Sequence, residues 1–204
     1  MVGTYYNNPI NQAAPARGDL IVGNAGGLLT AVTAGSAGKV LISAGVGTLP
    51  TWETAGSSGK LIQQIYTQRS DLVQCTTVFP IDNTIPVKTE GAEVFTLTIT
   101  PTSASNYLII QGVLMGNVST GAAGAIFQDD TSNALTAFYL CYSTTMGCPV
   151  FYTMVAGTTS ATTFKIRCGP DSGGGTWALN GYNSSTRMFG GVCMSYMMIS
   201  EVSA

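Results

Sequence analysis

The chain has 204 residues, which allows one large domain or a smaller domain with an appendage. Hydrophobic residues make up 45%, enough for a sizeable core, whereas charged residues make up only 9%, against about 25% in typical soluble domains. The net charge is −2 and the eight basic residues are scattered along the chain, so no nucleic-acid-binding surface is expected.

The sequence also argues against membrane, secreted and enzymatic classes. It has no run of about 18 apolar residues, so we expect no membrane-spanning segment. The first eight residues lack the cationic start and apolar stretch of a secretory signal. Histidine is absent, which removes the commonest general base and metal ligand. We therefore expect no catalytic residues, no metal, no cofactor and no enzymatic activity.

Residues 1–16 are predicted to form an extended arm, because no helical or strand periodicity is present. The side chains that would anchor this arm are Tyr5, Tyr6, Pro9 and Ile10. Such a segment is disordered when it is alone. We expect the arm to dock on another protein, and the alternative is that its own oligomer orders it.

A glycine-punctuated unit recurs three times over residues 17–60, which we name the shaft. Each copy is a turn, one charged residue and a short apolar strand, at 18–22, 38–42 and 59–62. A unit of this size buries its apolar side chains only by stacking on neighbours, and those neighbours can be other chains. The residues that define the repeat are Gly18, Leu20, Gly38, Val40, Trp52, Gly59 and Leu61.

Residues 61–204, which we name the head, read as a single β domain. Phe95, Leu97 and Ile99 alternate with threonines, which predicts a half-buried strand, and 107–115 suits a strand buried on both faces. Further strands are expected at 62–67, 76–79, 125–128, 135–142, 149–155, 164–168, 176–179 and 191–202. Eight to ten strands over about 140 residues predict a jelly-roll-like β-sandwich, so the fold class is all-β.

Two motifs suggest catalysis but fit it poorly. The segments 35–39 and 56–60 resemble a phosphate-binding loop, yet the spacing is short and the lysines are followed by Val40 and Leu61. Asp129 and Asp130 are the only adjacent carboxylates that a glycosidase pair would use, and neighbours on a strand point to opposite faces. Turn and surface carboxylates are therefore expected, with a depolymerase spike as the remote alternative.

The five cysteines are expected to be free thiols buried in the core, since no CxxC pair occurs. A Cys141–Cys148 disulfide across a hairpin is the alternative.

The aromatic residues include candidate sugar contacts, because exposed rings stack well on sugar faces. Trp177, Tyr182 and Tyr139 are the candidate glycan contacts, although for Trp177 core packing is favoured over exposure. Trp52, which follows Pro50 in the shaft, is expected to pack.

The shaft sequence resembles a repeat of tailed-bacteriophage fibre proteins, in which Gly-Asp-Leu-Ile and Gly-x-x-Gly-x-Val-Leu precede Pro-x-Trp. The head is similar to end domains of tail fibres and capsid-attached fibres. The segments that carry the second similarity are 127–129, 156–159, 163–167 and 189–191.

This resemblance implies a non-enzymatic virion protein that is made in the bacterial cytoplasm and displayed on the virion surface. It implies a homotrimer whose arm binds a phage capsid protein, or a tail or baseplate protein, with the head outward. The chain is short for a host-binding tail fibre, which favours a head fibre or decoration protein on the capsid. The alternative is a tail fibre or spike whose head binds host-surface carbohydrate.

Overall fold

The computed structural model describes residues 16–23, 26, 29–56 and 59–204. The chain divides into two compact units, Met1–Ser57 and Ser58–Ala204. Among the described residues no helix has the length and hydrophobicity needed to cross a membrane. The strands are β1 Leu20–Gly23, β2 Leu29–Val32, β3 Lys39–Ile42, β4 Thr51–Thr54, β5 Leu61–Arg69, β6 Val73–Cys75, β7 Ala92–Ile99, β8 Tyr107–Val118, β9 Gly121–Gln128, β10 Thr136–Tyr142, β11 Thr145–Val155, β12 Thr162–Pro170, β13 Trp177–Leu179 and β14 Ser195–Val202.

The described part of the first unit contains two short antiparallel hairpins, β1–β2 and β3–β4. The loop of the second hairpin turns at Gly45 and Gly47, whose φ angles of 97° and 79° suit glycine. Asp19 joins the ends of the first hairpin, because its carboxylate accepts hydrogen bonds from the backbone N–H groups of Ala16 and Ala34. Each strand is only four residues long, so little apolar surface is buried within either hairpin.

The second unit is a jelly-roll sandwich, as the sequence predicts. Its larger sheet contains β5-β14-β8-β11, with β13 and β6 extending the far end of β8. Its smaller sheet has the order β7-β12-β9-β10, and all described pairings are antiparallel. The first long strand therefore lies beside the last, and the second lies beside the next to last, which is the nesting of a jelly roll.

The main core fills the space between the two sheets. Alternate residues of each strand face inward, so β8 contributes Leu108, Ile110 and Leu114, all fully buried. Phe164 and Ile166 of β12 face them from the smaller sheet within the same apolar cluster. The predicted alternation in β7 is also confirmed, with Phe95 and Ile99 buried and the intervening threonines exposed.

A smaller cluster covers the opposite side of the four-stranded sheet. Phe79 and Phe127 are both 1% exposed and pack together with Ala123 and Ala125. The segment between β6 and β7 thus covers β9, which explains why nearly every residue of β9 is buried. This segment is fixed by the hydrogen bond from the Phe79 N–H to the Pro170 carbonyl, 2.7 Å long.

A buried carboxylate joins β14 to the turn after β7. Glu201 has no exposed surface. Its oxygens accept hydrogen bonds from Gln63, Asn106 and both the N–H and hydroxyl of Thr102, at 2.6–2.8 Å. Burial opposes ionisation, but these donors outweigh it and lower the pKa of Glu201 to about 2.

Three strand predictions were wrong in detail. Residues 76–79 form no strand; β6 ends at Cys75, and Phe79 leaves the sheet to cover β9. The last strand begins at Ser195, because Met188–Gly191 is a 3-10 turn in which Phe189 and Gly190 have positive φ angles. β8 is fully buried on one face only, and its other face is half-buried.

Candidate functional site

The predicted arm anchors Tyr5, Tyr6, Pro9 and Ile10 lie outside the described residues. Within the shaft, Gly18 and Gly38 adopt positive φ angles of 100° and 83°, as turn glycines do. The shaft assignment of Gly59 and Leu61 was wrong. Leu61 begins β5 of the sandwich, and Gly59 donates its N–H to the Ser203 carbonyl there, since pairing with β14 outweighs the resemblance to the hairpins.

The two hairpins present apolar side chains to solvent. Leu20 and Ile21 are each 40% exposed although they are neighbours on one strand and so face opposite ways. Val40, Leu41 and Ile42 of β3 are also exposed, and as consecutive residues of a strand they point alternately to its two faces. Both faces of each hairpin therefore carry exposed aliphatic groups.

Trp52 packs within the first unit, as expected. A Cβ at Gly35 would lie 2.6 Å from the indole, so the ring lies directly on the Gly35 backbone. Its Nε1–H donates to the Thr33 carbonyl at 2.7 Å. Trp52 thereby joins the second hairpin to the segment that follows β2.

Trp177 packs in the core, as the sequence favoured, and its alternative role as an exposed glycan contact was wrong. This side chain has no exposed surface, because β13 pairs with both β8 and β6 and its indole lies on Gly116. Tyr139 and Tyr182 are 51% and 66% exposed, so both are available to a ligand. They line two different pockets, and the three predicted residues form no common groove.

Tyr139 borders a pocket of about 230 Å³ on the outer side of the smaller sheet. Phe138 and Ile81 add apolar surface, while Asp82 and Thr84 add polar groups. The Asp82 carboxylate accepts hydrogen bonds from the Thr84 hydroxyl and N–H, which lower its pKa. The pocket thus combines an exposed ring with a fixed, ionised carboxylate and a hydroxyl.

Tyr182 borders a second pocket of about 420 Å³, together with Arg187, Met188 and Phe189. Phe189 is 79% exposed and has a φ angle of 48°, an uncommon conformation for a bulky residue. Sequence analysis used Phe189 only as part of the 189–191 segment that resembles fibre end domains, and not as a candidate ligand contact. Its only signal was an aromatic residue followed by two glycines.

The adjacent carboxylates Asp129 and Asp130 are both occupied by local contacts. Asp129 accepts hydrogen bonds from the hydroxyl of Thr162 and the N–H of Thr163, at 3.0 and 2.8 Å. Asp130 pairs with Lys88, and this contact lowers its pKa. Both residues act as turn carboxylates, as the sequence favoured.

Four of the five cysteines are buried, which confirms their expected place in the core, and Cys193 is partly buried. All five are free. The Cys141 thiol donates to the Thr144 carbonyl and the Cys148 thiol to the Tyr139 carbonyl, so the two point to different partners. Burial and the nearby Cys148 raise the pKa of Cys141 to about 11. Within the described part of the chain, no group of acidic or cysteine side chains could hold a metal ion.

Tyr66 and Phe151, which sequence analysis did not single out, are 68% and 62% exposed on the outside of the larger sheet. Phe151 lies in an apolar run from 148 to 152, and Tyr66 follows Ile65 directly. Consecutive apolar residues indicate that both faces of a strand are apolar, but they do not reveal which face remains exposed.

No protein-family model matches the chain, and no curated protein matches its sequence. Solved structures with some similarity are the VP2 subviral particle of infectious bursal disease virus (13% identity, 80% of this chain and 43% of that chain, TM-score 0.34) and the Gt strain of the same virus (12% identity, 82% and 43%, TM-score 0.35). The chain spans less than half the length of these proteins. A TM-score below 0.5 assigns neither the fold nor the function of this chain.

Proposed function

We propose that this chain is a non-enzymatic structural virion protein of a tailed phage: a trimeric head fibre or decoration protein. In this proposal residues 1–16 bind the capsid and the jelly-roll head points outward. The observation that carries it is the pair of hairpins, β1–β2 and β3–β4, whose aliphatic side chains are exposed on both faces.

An isolated two-stranded hairpin is marginally stable in water, and a repeat unit buries its apolar face only against neighbours. Four-residue strands with exposed Leu20, Ile21, Val40 and Ile42 therefore need other chains around them. Intertwined copies of the same chain meet this need, because each copy supplies the same apolar strands at the same height along a common axis.

Oligomerisation also gives the attachment mechanism. Three arms on one trimer act at a high effective concentration once the first has bound, so modest contacts for each arm hold the whole fibre firmly. Attachment of this kind requires neither an energy source nor a catalytic step. The carboxylates nearest to a catalytic pair, Asp129 and Asp130, serve turn contacts instead.

The test is the position of the protein on the particle. Virions carrying a gold-binding tag after Ala204 are imaged by electron microscopy. Label spread over the capsid supports the head-fibre proposal. Label confined to the tail contradicts it and favours a tail fibre, and virions without label contradict a virion role altogether.

A second function is favoured by the Tyr139 pocket: binding of a host-surface sugar. The exposed ring of Tyr139 offers a stacking surface, and Asp82 and Thr84 offer hydrogen-bonding partners for hydroxyl groups. The test is a glycan array with the wild type and Tyr139→Ala. Tyr142→Ala is the matched control, because Tyr142 is 69% exposed on the same strand but does not line the pocket. Sugar binding that survives Tyr139→Ala contradicts this site.

A further inference from the structure

One side of the larger sheet is apolar, uncharged and exposed to solvent. We name it the outer face: the side turned away from the core on β5, β14, β8 and β11. Directly opposite residues in an antiparallel sheet point to the same side. The register places Tyr66, Met198, Gln111 and Phe151 side by side in one row across all four strands.

No outward position on these strands carries a charge. The alternate residues from 64 to 68, 196 to 202, 107 to 115 and 147 to 155 include no Asp, Glu, Lys or Arg. Tyrosines, a phenylalanine, aliphatic residues and methionines dominate, with glutamine, serine and threonine between them. Depletion of charge with enrichment of aromatic residues and methionine is the composition of an interface core.

The other side of the sandwich shows that this composition is not general to the head. Glu93, Lys165 and Arg167 face outward on the smaller sheet, where both cations lie 3.6 Å from the Glu93 carboxylate. Phe79 and its neighbours cover β9 on the same side. The smaller sheet is thus partly charged and partly covered, whereas the outer face is uncharged and the described residues leave it uncovered.

The outer face has the size of a specific protein interface. Four strands about 4.8 Å apart and averaging about ten residues of 3.3 Å give a surface of about 600 Å². In the proposed trimer each copy shares this area between its two neighbours, so three copies bury about 1,800 Å² of head surface in all, more than the about 1,200 Å² at which stable specific interfaces begin. The exposed rings of Tyr66 and Phe151 lie well inside its long dimension.

We propose that the outer face is buried against a second copy of this chain. The inference rests on the proposed function for the existence of an oligomer, and it adds the surface that holds the heads together. Two copies of an uncharged face meet without like-charge repulsion, which would be costly at an interface. At the β11 edge, packing by the face is favoured over strand addition, because Pro149 has no N–H to offer a new strand.

The test compares three full-length proteins by light scattering coupled to gel filtration over a wide concentration range. The first is the wild type, and the second carries Tyr66→Lys and Phe151→Lys on the outer face. The matched control carries Thr98→Lys and Tyr142→Lys, which add the same charge at exposed strand positions of the smaller sheet. We expect the outer-face variant to dissociate at a concentration at least about tenfold higher than the wild type and the control.

The outcomes separate this inference from the proposed function. An outer-face variant that dissociates like the wild type overturns the inference and leaves the fibre proposal standing. A wild type that is monomeric at every concentration overturns both. As a second measurement that needs no charged substitution, benzoylphenylalanine replaces Phe151 or, as control, Thr98. Photocrosslinks between chains are expected from position 151 alone, and their absence there overturns the inference.

Discussion

At the scale of single residues, Glu201 makes the stability of the head depend on acid. Its folded-state pKa of about 2 is below the ordinary value of 4.5. The stabilisation from its ionised form is therefore fully present above about pH 4.5 and is lost as the pH falls toward 2. The difference corresponds to about 3 kcal/mol. Thermal melts followed by circular dichroism between pH 7 and pH 2 should show this loss.

Glu201→Gln should lower the melting temperature at pH 7, because the amide oxygen can take the place that Thr102 and Asn106 donate to, but the amide nitrogen then faces Gln63 and cannot accept its hydrogen bond. The variant should also lose less stability than the wild type between pH 4.5 and 2. Glu93→Gln is the control, since Glu93 is 36% exposed and its cations are 3.6 Å away. Equal pH profiles for the wild type and Glu201→Gln would show that this carboxylate is not responsible.

Substitution of Gly116 is expected to lower the stability of the head. A Cβ there would lie 2.5 Å from the Trp177 indole and 2.8 Å from the Ala178 carbonyl oxygen, so alanine forces the strand and the ring apart. We expect Gly116→Ala to destabilise the head by about 1–3 kcal/mol, as overpacking does. Gly173→Ala is the matched control, because a Cβ at Gly173 meets no atom within 4 Å. Denaturant unfolding measures both, and a stable Gly116→Ala protein would contradict this packing.

At the scale of elements, Trp52 determines how well the second hairpin is held. Trp52→Ala removes both the contact with Gly35 and the hydrogen bond to Thr33. We expect cleavage by trypsin after Lys39 to become about tenfold faster, since local opening limits cleavage of folded segments. Trp52→Phe, which keeps a ring but has no N–H, should fall between. An unchanged rate for Trp52→Ala would show that the hairpin is held by other contacts.

The strands of the head differ in how well local sequence patterns predict them. The alternation in β7 and β12 located both strands, because burial on one face selects every second residue. The glycine-rich loop before Trp177 made exposure a competing prediction, whereas the burial of this side chain depends on Gly116 in a strand 61 residues earlier. Likewise, the third repeat copy begins β5 because of its pairing with β14 near the end of the chain. Neither long-range pairing leaves a trace in the local sequence.

At the scale of the whole molecule, the low charge content and the two kinds of exposed apolar surface have one explanation. A chain with 9% charged residues stays soluble as a monomer only if its apolar side chains are buried. The described part of the chain leaves the hairpins and the outer face exposed. Composition predicts the need for partners, and the register of β5, β14, β8 and β11 shows which surface we propose that they cover.

The arm, residues 1–16, is predicted to attach the protein to the particle. A protein that lacks residues 1–16 loses the Ala16 contact of Asp19 but keeps all four hairpin strands and the whole sandwich, so we expect it to form soluble oligomers of the same number as the full-length chain. It should not join particles, since the proposed capsid contacts of Tyr5, Tyr6 and Ile10 are gone. Particles assembled with the tagged truncated protein, or with the tagged full-length chain as control, are sedimented and probed for the tag.

Loss of the truncated protein from the particle fraction, with the control present, supports attachment through the arm. Co-sedimentation of the truncated protein at the level of the control would mean that the described part of the chain binds the particle, and the arm would then have no role in attachment. A truncated protein that becomes monomeric would place the arm within the oligomer instead, because avidity needs several arms on one assembly and cannot itself create that assembly.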